Sequence, residues 1–179
     1  KDESGFTALI LATREGHTDC VQLLLHANAN IETRDSYERT ALVWAAANGD
    51  MPCTELLIDA RADVEANDGA NDTALTCAAR NGHTACLQLL FDANADIHAK
   101  IVDGSTALIL AAANRRTACV QRLIDLRANV EVGEEEGETA LMWAARMGDE
   151  ESVRLLVDAN ASLDAVDNND RTALMHAAE

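Results

Sequence analysis

The chain has 179 residues, of which 48% are hydrophobic, 25% charged and 3% aromatic, and its net charge is −17. This length and composition allow a packed core and differ from those of disordered chains. The negative charge disfavours binding to nucleic acid or to anionic membranes, because both are themselves negative. The longest apolar runs, such as residues 107–113, fall far short of the roughly 18 residues that a membrane span needs, so direct membrane insertion is not expected.

The tripeptide Thr-Ala-Leu recurs along the whole chain at a constant interval of 33 residues. A strict period without insertions indicates that one supersecondary unit is copied and stacked on itself. We therefore expect a repeat array. The threonines that begin the tripeptides are Thr7, Thr40, Thr73, Thr106, Thr139 and Thr172.

The first copy predicts two short helices and a turn. Residues 7–14 begin with a hydroxyl residue suited to an N-cap and end before a glycine, which predicts a first helix. Residues 17–25 place apolar side chains at i, i+3 and i+4, which predicts a second helix. The polar stretch 29–39 has a tight-turn signal at Asp35 and Ser36 and predicts a projecting hairpin-like loop.

Two tryptophans share one repeat position, four residues after the threonine. Because the other copies hold leucine, cysteine or histidine there, the position accepts many sizes and is expected to be half buried. Filling of the core and a hot spot for binding are both compatible with that position. The residues in chain order are Leu11, Trp44, Cys77, Leu110, Trp143 and His176.

The cysteines are the first candidates for metal chemistry, because a His-x-x-Cys spacing occurs twice. Four cysteines, however, lie thirteen residues after their threonine on the apolar stripe of the second helix, as core residues would. We therefore expect buried packing and no metal site. Five cysteines without a secretory segment favour reduced thiols and an intracellular, cytoplasmic location. The four periodic cysteines are Cys20, Cys53, Cys86 and Cys119.

Signals for catalysis are weak throughout the sequence. The chain has no glycine-rich phosphate loop, no G-x-S-x-G elbow and no H-E-x-x-H motif, and its carboxylates are scattered over surface positions. We therefore expect a protein that is not an enzyme and that needs no cofactor.

The 33-residue unit resembles the ankyrin repeat. The family's D-x-x-G-x-T-P-L-H-x-A-A core, its Gly-His pair and its closing turn are visible in residues 2–17, 68–83 and 89–99. The resemblance implies an all-α repeat solenoid of helix-turn-helix units with projecting hairpin loops, in about five and a half repeats. We expect one domain over residues 1–179, as a fragment of a longer array, with repeats at 1–33, 34–66, 67–99, 100–132 and 133–165 and a partial repeat at 166–179.

Departures from the family pattern predict local differences. The family's glycine after the second helix is replaced by Asn28, Arg61, Asn94, Arg127 and Asn160. Asparagine tolerates the left-handed conformation of that site, whereas arginine costs about 1 kcal/mol more, so repeats two and four are expected to be weaker. Copy four also has isoleucine at position 101, where the other copies carry Asp or Glu.

The resemblance implies a non-catalytic scaffold that binds a protein partner on a concave face of hairpin tips and first helices. Two other roles stay open: an architectural subunit embedded in a large multiprotein assembly, and a regulatory domain of an enzyme encoded outside this segment. The candidate partner-binding residues are Phe6, Tyr37, Arg39, Trp44, Arg80, Val102, Asp103, Glu135, Glu136, Glu138, Trp143, Arg146, Met147 and Arg171.

The fifth copy is the most acidic, with nine acidic and two basic residues between positions 133 and 165. Its hairpin carries four glutamates, which we expect to lack cationic neighbours. Such a tip would attract a basic segment of the protein partner and speed its association, although a solvated loop is the simpler alternative. The glutamates are Glu134, Glu135, Glu136 and Glu138.

Overall fold

The computed structural model describes residues 5–178, which contain six first helices and five second helices in alternation. The helices predicted at 7–14 and 17–25 are confirmed, and each begins one residue later than expected. The bounds are α1 Ala8–Arg14, α2 Thr18–His26, α3 Ala41–Asn48, α4 Met51–Asp59, α5 Ala74–Asn81, α6 Thr84–Asp92, α7 Ala107–Ala113, α8 Thr117–Asp125, α9 Ala140–Arg146, α10 Glu150–Asp158 and α11 Ala173–His176.

The repeated threonine explains where each first helix begins. In the five copies from Thr7 to Thr139, the threonine Oγ1 accepts the backbone N–H three residues later at 3.3 to 3.5 Å. This bond satisfies one of the N–H groups that a helix leaves unpaired at its start. The threonine is therefore an N-cap, as the sequence predicts.

The second residue after the end of each second helix has a left-handed backbone. At these five positions φ lies between 57° and 68°. The structure thus confirms that two arginines occupy a conformation in which a Cβ atom is unfavourable. The residues are Asn28, Arg61, Asn94, Arg127 and Asn160.

Five hairpin turns connect the repeats and share one backbone pattern. In each, the first residue donates its N–H to the carbonyl of the fifth, and the fourth donates to the carbonyl of the first. Antiparallel bridges flank three of them, for example between Asn67 and Thr73. The predicted hairpin-like loops are therefore confirmed. The turns comprise residues 35–39, 68–72, 101–105, 134–138 and 167–171.

A carboxylate at the first position stabilises four of the five turns. It accepts the backbone N–H groups of the third and fifth turn residues, as in other Asx-type turns. The side chain of Ile101 cannot accept a hydrogen bond, and in its turn the Asp103 carboxylate accepts the N–H of Ser105 at 2.9 Å instead. The four carboxylate residues are Asp35, Asp68, Glu134 and Asp167.

The described chain divides into two compact units. The amino-terminal unit comprises the described residues up to Ala78 together with Ala85–Asp96. The carboxyl-terminal unit comprises Ala79–Thr84 together with the described residues from Ile97 onward. In the first, α1 packs on α2 and α3, and α4 packs on α2 and α3. In the second, α9 packs on α7, α10 and α11, and α8 packs on α7 and α10. One domain over residues 1–179 stays a prediction.

The core consists mainly of aliphatic and small side chains, which accords with an aromatic content of 3%. In α3, for example, Leu42 is 1% exposed and Ala45 and Ala46 are 0% exposed. Among residues 5–178, no helix combines the length and apolar character needed to cross a membrane.

The prediction of buried cysteines is wrong for Cys20, which is exposed, although the other four cysteines are buried. Cys53 and Cys86 each lie against a threonine of the preceding second helix, at 3.8 Å from Thr18 Oγ1 and 3.6 Å from Thr54 Oγ1 respectively. Within the described residues no second helix precedes α2. Among the described residues Cys20 therefore has no counterpart of the threonine that packs on Cys53 and Cys86.

Candidate protein-binding surface

Two repeat positions lie side by side where each hairpin turn enters its first helix. One is the residue immediately before the threonine, and the other is the residue four positions after it. In copy two these are Arg39 and Trp44, and the Arg39 guanidinium carbon lies 3.8 Å from the centre of the Trp44 ring. The side chains at these positions differ between copies, whereas the threonine and the hairpin bonds recur.

In the amino-terminal unit an aromatic cluster lies around these positions and comprises Phe6, Arg14, Tyr37, Arg39 and Trp44. The Phe6 and Trp44 ring centres lie 6.2 Å apart with the planes inclined by 51°. Arg14 lies over Phe6 at 4.8 Å, and Arg39 lies over Tyr37 at 4.5 Å. Such contacts between cations and aromatic rings stabilise the arrangement modestly at a partly exposed site.

Asp35 fixes the position of Trp44 in this cluster. Its Oδ2 accepts the Trp44 Nε1–H at 2.9 Å, and its Oδ1 accepts the N–H groups of Tyr37 and Arg39 at 2.8 and 3.0 Å. Arg39 Nε also lies 3.4 Å from Oδ2. Because Asp35 is only 4% exposed, one buried carboxylate orients both the turn and the half-buried tryptophan.

In the carboxyl-terminal unit an ionic cluster lies around the equivalent positions and comprises Glu138, Arg146, Asp167, Arg171 and His176. Glu138 accepts from Arg146 Nη1 at 2.9 Å, receives a second, shorter bond from Arg146 Nη2, and pairs with Arg171 at 3.2 Å. Arg171 also donates Nε–H to Asp167 at 2.8 Å. Two carboxylates and two guanidinium groups thus balance one another.

His176 connects the two halves of the ionic cluster. Its Nδ1 lies 2.7 Å from Arg146 Nη2, which can only donate, so Nδ1 accepts. Its Nε2 lies 3.1 Å from Asp167 Oδ2 and therefore donates. The surroundings assign the neutral Nε2–H tautomer. The half burial expected at this repeat position is wrong for His176, which is 1% exposed, and also for Cys77 and Leu110, which are each 7% exposed.

The pKa of Asp167 reflects competing effects. Burial favours the neutral acid and raises the pKa. Hydrogen bonds from the backbone N–H groups of Arg171 and Asn169, and then from the side chains of Arg171 and His176, outweigh burial and hold the pKa well below its usual range. Asp167 is therefore ionised at neutral pH and stabilises the turn that supplies Arg171.

The ionic cluster also contains the one group of three potential metal ligands found within residues 5–178. The ligand atoms of Glu138, Asp167 and His176 all lie within 4.8 Å of one another. Two guanidinium groups already occupy the carboxylates, however, and their charge opposes a divalent cation. The arrangement fits an internal ionic network better than it fits a metal centre.

Trp143 in copy five occupies the same repeat position as Trp44 in copy two. Both tryptophans are half buried, as predicted. Arg146 lies 4.7 Å over the Trp143 ring, but Trp143 Nε1 is buried without a hydrogen-bond acceptor among the described residues. The difference arises because both Oε atoms of Glu134 accept turn N–H groups at 3.0 Å.

The acidic hairpin differs from its sequence-based description. Glu135 and Glu136 are exposed at the tip, whereas Glu138 is 5% exposed and bound by two arginines. Glu134 closes its own turn. The expectation that all four glutamates lack cationic neighbours is therefore wrong for Glu138, because Arg146 of the same repeat and Arg171 of the next repeat both reach it.

The remaining candidate residues lie outside both clusters. Val102 is 61% exposed at the tip of turn 101–105, and the Asp103 carbonyl accepts the Glu135 N–H at 2.9 Å. Arg80 is half buried, and its carbonyl accepts from Arg116 Nε at 3.2 Å. Met147, also half buried, is the C-cap of α9.

Sequence reasoning did not select three residues that hold the clusters together. Asp35 and Asp167 each lie nine residues before the side chain they bind, Trp44 and His176 respectively. The nine-residue spacing is visible in the repeated sequence. The hydrogen bond between the two side chains, however, forms only because the turn folds back beside its first helix. The residues missed are Asp35, Asp167 and His176.

Family models match most of the chain. The model described as ankyrin repeats (3 copies) matches residues 29–101 and 108–179. The model described as ankyrin repeat matches residues 4–36, and that described as ankyrin repeats (many copies) matches residues 82–124. Among curated proteins, no match is found.

Proposed function

The chain belongs to the ankyrin repeat family, whose members are generally protein-interaction modules, and from that premise we propose that it is a non-catalytic scaffold for a protein partner. The partner binds the hairpin tips and first helices, the face that is concave in the family. The high negative charge, −17 over the chain, favours a protein partner over nucleic acid.

The aromatic cluster carries this proposal. Tyr37 is 64% exposed, and Trp44 and Arg39 are partly exposed beside it. Tyrosine, tryptophan and arginine are the residue types most enriched at energetically important positions of interfaces. Here they are held in place by Asp35 rather than by deep burial, so their surfaces are ordered before a partner arrives.

The exposed pair Glu135 and Glu136 supports a partner with a basic segment. Neither side chain is buried, whereas the neighbouring Glu134 and Glu138 are used inside the fold. Exposed charges at a tip act on an approaching chain mainly by raising the association rate. An intracellular, reducing compartment accords with five free cysteines, one of them exposed.

Site-specific photocrosslinking in extract of the native source tests the proposal. Benzoylphenylalanine replaces Tyr37 or Glu136 on the proposed face, and in matched controls it replaces Gln22 or Arg154, which are exposed on second helices. We expect one protein to be crosslinked from Tyr37 and from Glu136 but not from the control positions. Equal crosslinking from Gln22 and Arg154 would contradict binding on this face and favour an embedded architectural subunit.

A further inference from the structure

We propose that Arg39 recognises a carboxylate on the partner, from a glutamate or aspartate side chain, at the edge of the aromatic cluster. This inference rests on the proposed function, since it names the chemistry of one contact on that face. It concerns the amino-terminal unit alone and does not involve the acidic tip of turn 134–138.

The hydrogen-bond donors of Arg39 are incompletely used within the protein. Its Nε is buried and makes no hydrogen bond to the described residues, although Asp35 Oδ2 lies 3.4 Å away. Its Nη groups likewise make no hydrogen bond to the described residues, and the side chain is 25% exposed. The outer edge of the guanidinium group therefore presents N–H groups to an incoming acceptor.

Three neighbours restrict the orientation of this guanidinium group. The Trp44 and Tyr37 rings lie 3.8 and 4.5 Å from its central carbon, and Asp35 lies beside Nε. An arginine held over aromatic rings keeps its in-plane donors available, because the ring contacts use the face of the plane and not its edge. The side chain is thus ordered before binding.

The acceptor that best fits such an edge is a carboxylate. Its two oxygens match the spacing of parallel guanidinium N–H groups, and charge-assisted bonds of this kind are about twice as strong as neutral ones. The Asp35 carboxylate cannot swing out to compete, because its oxygens are held by the N–H groups of Tyr37 and Arg39 and by Trp44 Nε1.

Arg171 provides an internal comparison at the same repeat position in the carboxyl-terminal unit. Its guanidinium group donates to Asp167 at 2.8 Å and to Glu138 at 3.2 Å. That arginine already binds two carboxylates of its own chain. A binding site for an external carboxylate is therefore specific to the Arg39 copy.

Titration by nuclear magnetic resonance tests the inference without a known partner. The chain has two tryptophans, so an ¹H–¹⁵N spectrum has two indole signals, and Trp44 Nε1–H reports on Asp35 and Arg39. The probes are the capped peptides acetyl-Gly-Glu-Gly-amide and acetyl-Gly-Gln-Gly-amide at constant ionic strength. We expect the glutamate peptide to shift the Trp44 signal saturably, with little change at Trp143, and the glutamine peptide to bind about tenfold more weakly.

Arg39→Lys keeps the charge but removes the planar donor edge, and Arg171→Lys is its matched control. The first should weaken glutamate-peptide binding about tenfold and the second should leave it unchanged. Equal shifts with both peptides, equal shifts of both indole signals, or unaltered binding to Arg39→Lys would overturn the inference. Those results would leave crosslinking from Tyr37 intact, whereas failure of crosslinking would remove the proposed function itself.

Discussion

Glu138 accepts hydrogen bonds from both Nη groups of Arg146 in the adjoining first helix, one of them at 2.9 Å. The carboxylate is 5% exposed and also pairs with Arg171 of the following turn. A glutamate selected as part of an acidic surface is thus a structural residue that joins two repeats.

Glu138→Gln should destabilise the fold. The amide keeps one acceptor but places an NH₂ group against a guanidinium donor, and loss of a buried charge-assisted bond costs roughly 1 to 3 kcal/mol. Urea denaturation measures the change in free energy of unfolding. Glu136→Gln, at the exposed tip of the same turn, is the control and should have almost no effect. Equal stability of the two variants would show that the ionic cluster is not stabilising.

The paired change Glu135→Gln and Glu136→Gln should slow partner association without altering stability. Exposed charges raise the rate of encounter with a basic segment, and salt screens this effect. We expect association about two- to tenfold slower at low ionic strength and a smaller difference at high ionic strength. Stopped-flow fluorescence with the partner that photocrosslinking identifies measures the association rate. Unchanged association at low ionic strength would make the tip a solvated loop.

Arg61→Gly and Arg127→Gly should each stabilise the protein by about 1 kcal/mol. Their φ angles of 68° and 67° lie in the left-handed region, where glycine has no Cβ to strain. Thermal and urea melts measure the gain. Arg61→Ala retains the Cβ and serves as the control, with no comparable gain expected. Destabilised glycine variants would indicate that the arginine side chains contribute more than the backbone strain costs.

Cys20 should be the one thiol per chain that reacts with a disulfide reagent under native conditions at neutral pH. It is exposed, whereas burial raises the pKa of Cys53 to about 12 and that of Cys119 to about 11, and also raises the pKa of Cys86. The thiolate is the reactive form, so these three groups remain unreactive until the chain unfolds. Mass spectrometry after brief labelling identifies the site. Rapid labelling at Cys53 or Cys86 would contradict the packing between second helices.

The sequence predicted the backbone well because backbone signals are local and repeat. The threonine N-caps and the turn at Asp35 follow from residue type within a few positions. The left-handed residues Arg61 and Arg127 were expected because they replace the glycine of the ankyrin repeat that the unit resembles. Even the half burial of Trp44 followed from the variety of side chains at its repeat position.

The side-chain networks were not predictable in the same way. Glu32, for example, accepts the Asp63 N–H at 2.9 Å, and Glu65 accepts the Asp96 N–H at 2.7 Å, each across 31 residues. These contacts depend on the distance between stacked repeats. The sequence did not indicate that these glutamates accept hydrogen bonds from a neighbouring repeat, because an exposed glutamate without such a bond would look the same in the sequence. The burial of Glu138 was missed for the same reason.

Amide hydrogen exchange of the chain, measured alone and with the partner that photocrosslinking identifies, tests the central claim most directly. Binding on the proposed face should protect amides of turns 35–39 and 134–138 and of helices α3 and α9, and leave α4 and α10 unchanged. Protection confined to the second helices, with the turns unaffected, would contradict the claim that hairpin tips and first helices form the binding surface.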